Sequence, residues 1–382
     1  MLLHNLKISD KDIVHLLIKE KKIEKISFNQ AEHNINKEEI YFENCFVFPG
    51  LINSHDHLDY NLFPKLGNRV YKNYLEWGTD IHLQNKEMIQ EILRVPKALR
   101  AMWGVYKNLI SGVTTVVQHG EAFELKEVPI TVFGECVSLH SVRLDKRWKY
   151  RLNKPFGEKL PYVIHIGEGT DKERYHEIDE LFEWNFFCRE IVGVHGIAMN
   201  VRQAKKFKAL VWCPDSNFFL YNKTAAIDEL KHHTKILFGT DSCVSADWNI
   251  WHHLREARET KMLDDEALIN SVTSLPADIW KINAGAIKEN CGADLMIVKQ
   301  KNKNYAESFF ATNPEDIQLI LHKGNIVLFD ASLMLQLKYL SLKTFSVVYV
   351  NGEKKYVYGN VPSLIKNIKK YSPEIKFPVD VE

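Results

Sequence analysis

The segment Phe48-Pro49-Gly50-Leu51-Ile52-Asn53-Ser54-His55-Asp56-His57 constrains this chain most, because an apolar run ends there in two histidines spaced i, i+2. On a β-strand those positions point to the same side, so both imidazoles can reach one point in space. Two neutral imidazoles meeting at a strand end are half of a metal site. With 16 histidines in 382 residues one such pair can arise by chance, but three later segments repeat the pattern. Tyr162-Val163-Ile164-His165-Ile166-Gly167-Glu168 ends its apolar run in His165, with Glu168 shortly after. Ile191-Val192-Gly193-Val194-His195 ends in His195, and Ile236-Leu237-Phe238-Gly239-Thr240-Asp241 delivers a carboxylate. Four strands that each end in a metal-type or acid–base residue point to a parallel (β/α)8 barrel, which gathers its active site from the C-terminal ends of separate strands.

The rest of the chain fits around that pattern. Up to about Val47 short apolar runs alternate with charged turns and read as antiparallel strands. The segment after Ala284 reads likewise, with strands expected over 295–298, 317–321, 326–329 and 345–350. Asn351-Gly352 then marks a hairpin, since both residues tolerate φ > 0. Between these ends, strands alternate with helical patterns, the mark of a parallel sheet. The clearest helix is expected over 86–110, with Pro96 set to bend or split it and Gly112 to close it. Further helices are expected over 172–187 and 251–261. After a third strand expected over 130–137, little room remains for a helix, a fourth strand and a helix before Tyr162. That β/α unit is expected to be shortened or the barrel locally irregular.

Composition narrows the function. A formal net charge of +1 gives no global field for nucleic acid or a membrane surface. The six cysteines are scattered, with no C-x-x-C pair, as expected in a reducing compartment. Residues 1–7 lack the features of a secretory leader, and no apolar run approaches the ~18 residues of a membrane span, so the cytoplasm is the expected location.

Together these segments resemble the amidohydrolase superfamily, in particular its aminohydrolase/chlorohydrolase branch, which includes cytosine and guanine deaminases. Ser111-Gly112-Val113-Thr114-Thr115-Val116-Val117 is similar to that branch's second strand, and Trp212-Cys213-Pro214-Asp215-Ser216-Asn217 to its Cys-Pro-x-Ser-Asn element. Residues 283–287 and 292–298 resemble the return into the family's small β-domain. The resemblance implies a TIM-barrel catalytic domain over 49–283 and one β-sandwich built from residues 1–48 and 284–382. It implies one divalent metal held by His55, His57, His165 and Asp241, with zinc the first choice for such an N/O set and iron(II) compatible. By the same resemblance His195 orients the attacking hydroxide, Asp241 also accepts the water's proton, and Glu168 shuttles a proton to a ring nitrogen and the departing amine. Residues 131–139 offer no strand-end lysine that could bridge a second metal.

Asp59, Asn61, Trp77, His119 and Asn217 are the further candidates for substrate contact, with turn, core or loop-packing roles as the alternatives. Tyr74 and His82 join Trp77 in the long first loop, and His140, Asp247 and Trp248 also sit where they could wall a pocket. Ser216 and Asn217 could instead hold the strand-seven turn. The expected function is metal-dependent hydrolysis, deaminating a small heterocyclic or amidine-like compound through a metal-bound hydroxide. Alternatives are a cyclic amide (hydantoinase-like) or C–halogen hydrolase, or a non-catalytic assembly protein on the same fold. A small-molecule substrate is expected, nucleic acid and membrane are not, and a homo-oligomer is compatible.

Overall fold

The chain enters through four strands, β1 (Leu2–Lys7), β2 (Ile13–Lys19), β3 (Lys22–Ser27) and β4 (Glu39–Pro49). The computed structural model describes residues 1–28, 38–121, 125–155 and 160–382. In β2 burial alternates, with Val14, Leu16 and Ile18 inside, as a strand covered on one face requires. The second half of β4 does not alternate: Cys45 to Pro49 are all buried. Both faces of β4 are covered there, and it leads through Gly50 straight into the next strand.

Eight strands follow in two parallel sheets. β5 (Leu51–Asp56), β6 (Val113–Gln118) and β7 (Thr131–Phe133) form one; β8 (Val137–Ser141), β9 (Tyr162–Ile166), β10 (Ile191–His195), β11 (Ala209–Trp212) and β12 (Lys235–Phe238) form the other. Each sheet keeps chain order, and β5, β6, β9, β10 and β11 are buried at every residue. Parallel strands wrapped by helices on their outer faces read as such unbroken apolar runs. Helices α1 (Tyr74–Gln84), α2 (Lys86–Arg94) and α3 (Lys97–Ile110) separate β5 from β6. The helix expected over 86–110 is therefore two: Val95, with ψ of 124°, is held extended by the following Pro96. The strand expected over 130–137 is also two. β7 and β8 are joined by Gly134-Glu135-Cys136 with no helix between, and only the five-residue α4 (Trp148–Leu152) is seen before β9 among the described residues. The missing helix accounts for the short interval between His55 and His165. α5 (Lys172–Glu183), α6 (Val201–Ala204) and α7 (Pro214–Tyr221) follow β9, β10 and β11.

The chain ends meet in a ten-stranded sheet ordered β18-β16-β17-β15-β14-β13-β4-β1-β2-β3. Its later strands are β13 (Leu295–Lys299), β14 (Ile317–His322), β15 (Asn325–Asp330), β16 (Phe345–Val350), β17 (Glu353–Tyr358) and β18 (Asp380–Val381). β4 pairs antiparallel with β13, Phe48 opposite Met296 and Val47 opposite Ile297, which fastens the two ends together. Alternate residues of these strands serve two cores. Phe46, Phe48, Met296, Val298 and Ile320 join the large core beside the parallel strands, while Cys45, Val47, Ile297 and Leu319 join a second core with β1 and β2. The expected hairpin is present: Asn351 (φ 46°) and Gly352 (φ 82°) turn β16 into β17. No described helix is long and apolar enough to cross a membrane.

α3 is pressed against the turn that follows His57. A Cβ on Gly104 would lie 2.3 Å from the Leu58 carbonyl oxygen and 2.8 Å from its Cα. Gly→Ala inside a helix ordinarily stabilises by about 0.5–1 kcal/mol, whereas overpacking costs about 1–3 kcal/mol. Gly104→Ala is therefore expected to lower the denaturation midpoint. Gly78→Ala on α1, whose Cβ would meet nothing within 4 Å, is expected to raise it or leave it unchanged.

Candidate metal centre and active site

Four strand ends converge on one point. His165 Nε2 lies 3.2 Å from His55 Nε2 and 3.2 Å from His57 Nε2. Asp241 Oδ1 lies 3.8 Å from both His55 Nε2 and His57 Nε2. His195 Nε2 lies 3.9 Å from Asp241 Oδ2 and 3.8 Å from Glu168 Oε2. Two ligands each ~2.1 Å from one tetrahedral ion lie about 3.4 Å apart, so these separations suit a single ion.

The hydrogen bonds behind the rings fix which nitrogens face inward. The His140 carbonyl is 2.9 Å from His165 Nδ1, and Asn217 Oδ1 is 2.8 Å from His195 Nδ1. Both partners are acceptors, so Nδ1 carries the proton and Nε2 presents a lone pair to the centre. Asn217 is itself oriented, since its Nδ2 donates to Thr224 Oγ1 (3.1 Å). Burial and the neighbouring imidazoles push His55 and His165 well below the usual histidine range, which keeps them neutral. Bare imidazole nitrogens aimed at one another at 3.2 Å, with a carboxylate beside them, fit a cation held between them.

Asp241 is fixed from the other side. Burial pushes its carboxyl up, but His195, His57 and the hydroxyls of Ser216 (2.9 Å) and Ser245 (3.0 Å) outweigh it and hold it below the usual range. Glu168 is the reverse case: burial dominates and raises its pKa, against the pull of His195, while Tyr221 donates its hydroxyl to Oε1 at 2.8 Å. His195 (φ 71°) and Asp241 (φ 56°) both adopt the left-handed backbone region. Non-glycine residues are held there only where the surroundings impose it, commonly at functional sites.

Beneath the cluster lies a buried ion pair. Lys107 Nζ, on α3, donates to Asp56 Oδ2 (3.0 Å) and Asn61 Oδ1 (3.1 Å). Asn108 Nδ2 (2.8 Å) and Asn61 Nδ2 (2.8 Å) also donate to Asp56, so a carboxylate fully out of water is fully bonded. Asp56 sits between His55 and His57 in the chain, so the pair anchors the backbone that carries both.

A cavity of about 270 Å³ opens over the donors and is lined by His57, His165, Glu168, His195 and Asp241. Trp77, Tyr74, His82 and His140 line it as well. Asp59 lies elsewhere, buried with its Oδ2 3.8 Å from Arg100 Nη1. Asn61 belongs to the Asp56–Lys107 network, and Asn217 orients His195 from behind. His119 packs its ring against His165 with centroids 4.5 Å apart, Nδ1 3.3 Å from Ser138 Oγ, outside the cavity lining. Asp247 and Trp248 line a separate, wider groove of about 620 Å³, which contains none of the converging donors. Tyr221, Ser245 and Lys107 carry no strand-end signal, and the sequence did not mark them.

Lys107→Met is expected to destabilise the protein by about 3–5 kcal/mol, because it strands the Asp56 charge. It should also weaken metal retention by ~10–100-fold. Asp56→Asn added to Lys107→Met should recover part of the stability, as read by chemical denaturation and metal titration of both variants.

Known proteins resemble this chain in sequence and in fold. Residues 160–327 match the model of the amidohydrolase family. A 5′-deoxyadenosine deaminase from Methanococcus aeolicus is 22% identical, covering 89% of this chain and 94% of its own length. A 5-methylthioadenosine/S-adenosylhomocysteine deaminase from Thermococcus sibiricus is 23% identical, covering 85% and 91%. Among solved structures, an adenosine deaminase from Xanthomonas campestris with bound zinc superposes with a TM-score of 0.71 at 13% identity, covering 98% of each chain. The chain is thus similar to the amidohydrolase family in sequence over residues 160–327, and to the Xanthomonas campestris adenosine deaminase in fold along nearly its whole length.

Proposed function

We propose that this protein deaminates a small heterocyclic or amidine-like compound by metal-dependent hydrolysis, with one zinc ion held by His55, His57, His165 and Asp241. It is a hydrolase of the amidohydrolase type, acting on C–N bonds other than peptide bonds. Support comes above all from Glu168, a buried carboxyl 3.8 Å from His195 Nε2 at the cavity, tethered by Tyr221 and outside the ligand cluster. The same reading takes the two parallel sheets as one (β/α)8 barrel over 49–283, supported by eight parallel strands in chain order. It takes residues 1–48 and 284–382 as one β-sandwich, supported by the β4–β13 pairing and the second core. A cytoplasmic location is part of it, supported by six free cysteines.

In the proposed reaction, water adds its oxygen to the carbon bearing the amino group, the bond to that nitrogen breaks, and a carbonyl compound and ammonia result. When bound, a divalent ion supplies a nucleophile at neutral pH by lowering the pKa of water from ~15.7 towards ~7. Asp241 accepts the proton of the attacking water, its Oδ2 steadied by Ser216 and Ser245. His195, fixed through Asn217, orients the attacking oxygen with Nε2. Glu168 carries a proton to the ring nitrogen and then to the departing amine, and its burial favours the protonated form that this step needs.

The purified protein is expected to hold about one equivalent of zinc or iron by elemental analysis, and His55→Ala or His165→Ala to lose metal and turnover together. Glu168→Gln should keep the metal while turnover falls ~10²–10⁴-fold, since the amide has the shape but cannot carry a proton. His195→Asn should likewise keep the metal and lose turnover. Metal loss in that variant would make His195 a ligand alongside His55 and His165, a grouping their inward-facing nitrogens permit.

A further inference from the structure

The cavity over the donors is chemically divided. Its carboxylates, Glu168 and Asp241, both belong to the reacting end, and among the described residues its lining holds no lysine, arginine, asparagine or glutamine. Much of the remaining lining is apolar: Phe63 and Leu66 from the segment after β5, Trp77 and Ile81 from α1, Ile89 from α2, and Leu144 after β8. The one indole N–H among these is already bonded, Trp77 Nε1 donating to the Leu66 carbonyl at 2.7 Å. Leu144 is 52% exposed although it lines the cavity, so this wall leaves apolar surface in water that a ligand would cover.

We infer that the substrate of the proposed reaction is an uncharged nitrogen heterocycle whose amino-bearing edge faces Glu168 and whose far side carries a compact alkyl or aryl group. This rests on the aminohydrolase reading. A phosphate or carboxylate on the far side would lose its water with no lysine or arginine to replace it. A sugar would find no spare carboxylate or amide, only the hydroxyls of Tyr60, Tyr74, Ser141 and Ser242 and the imidazoles of His82 and His140, to take its hydroxyls. An apolar group there gains from burial instead, by about fourfold in affinity per methylene. The volume of about 270 Å³ lies just under the ~300–1,000 Å³ of drug-sized sites, which favours one or two rings with a short substituent.

The test uses the zinc-loaded protein and a graded series bearing methyl, propyl or benzyl, aminopurines with the group on N9 and amino-triazines with it on a second, exocyclic nitrogen. These are set against adenosine and adenosine monophosphate, with ammonia release followed for each. Binding is measured separately, by calorimetry on Glu168→Gln, so that affinity is read without turnover. The expected result is a dissociation constant that falls about fourfold per added methylene until the wall is filled, with kcat/KM rising in step. Adenosine and its monophosphate should bind at least tenfold more weakly than the propyl compound. Ile81→Asp, checked for retained zinc, should flatten the dependence on chain length. Adenosine or its monophosphate binding as tightly as the alkyl series overturns the inference and leaves the aminohydrolase reading standing. The graded binding without ammonia from any member upholds the apolar subsite and overturns deamination. No chain-length dependence in either assay overturns the subsite.

Discussion

The site depends on one attachment: the end of the last parallel strand is bonded to the end of the first. The amides of Thr240 and Asp241 donate to the His55 carbonyl at 3.1 and 3.0 Å. Gly239 makes this approach possible, since a Cβ there would lie 2.7 Å from His55 Cβ and 2.8 Å from Val211 Cγ1. Asn53 adds to the joint, its Oδ1 accepting from Thr240 N at 3.1 Å and its Nδ2 donating to Thr240 Oγ1 at 2.8 Å. The only acid among the proposed ligands is thus carried on backbone hydrogen-bonded directly to the first histidine. A ligand set drawn from strands distant in sequence needs this, because a small misplacement of one donor costs most of the metal's affinity.

The electrostatics follow from burial. Clustered imidazoles repel one another's protons and are out of water, so His55, His119 and His165 are all held neutral. Neutral imidazole is the form that ligates. The carboxylates split instead: His195 and His57 act on both, but Asp241, which accepts two serine hydroxyls, is held below the usual range, while Glu168, with one tyrosine hydroxyl and the Asp241 charge beside it, is pushed up by burial. Two acids near one centre whose surroundings drive them in opposite directions are suited to different roles, in the proposed reaction a proton acceptor at Asp241 and a proton donor at Glu168.

The residues that could be read from the sequence are those whose position follows from strand periodicity. His55, His57, His165, His195 and Asp241 each close an apolar run, and a parallel strand leaves little choice about where its last residue goes. Glu168 was legible by its offset from His165, and Pro96 by its effect on Val95. Asp59 and Asn61, open in sequence between substrate contact and turn or core roles, lie outside the cavity lining: the chain turns at once into a short 3-10 helix, Leu58–Tyr60, with Asp59 beside Arg100 and Asn61 bonded to Asp56. Lys107 shows what periodicity hides. In sequence it is one more lysine on an amphipathic helix, and only the fold reveals Asp56 beside it. The split of one expected strand into β7 and β8 was hidden for a similar reason, since a three-residue break containing glycine resembles an irregularity within a strand.

The lost helix between β7 and β8 bears on the site. Where a full β/α unit would insert a helix, β8 follows almost directly, bringing His140 to the cavity and its carbonyl behind His165. The usual covering element is absent among the described residues there, and the nearby apolar side chain, Leu144, stays exposed. The long excursion between β5 and β6 compensates, since α1 and α2 supply Trp77, Ile81 and Ile89 to the wall. The converging donors are therefore carried by strand ends, while the opposite wall of the cavity comes from helices and loops. Chemistry and selectivity are built from separable parts of the chain, so wall substitutions can alter what binds without moving a donor atom.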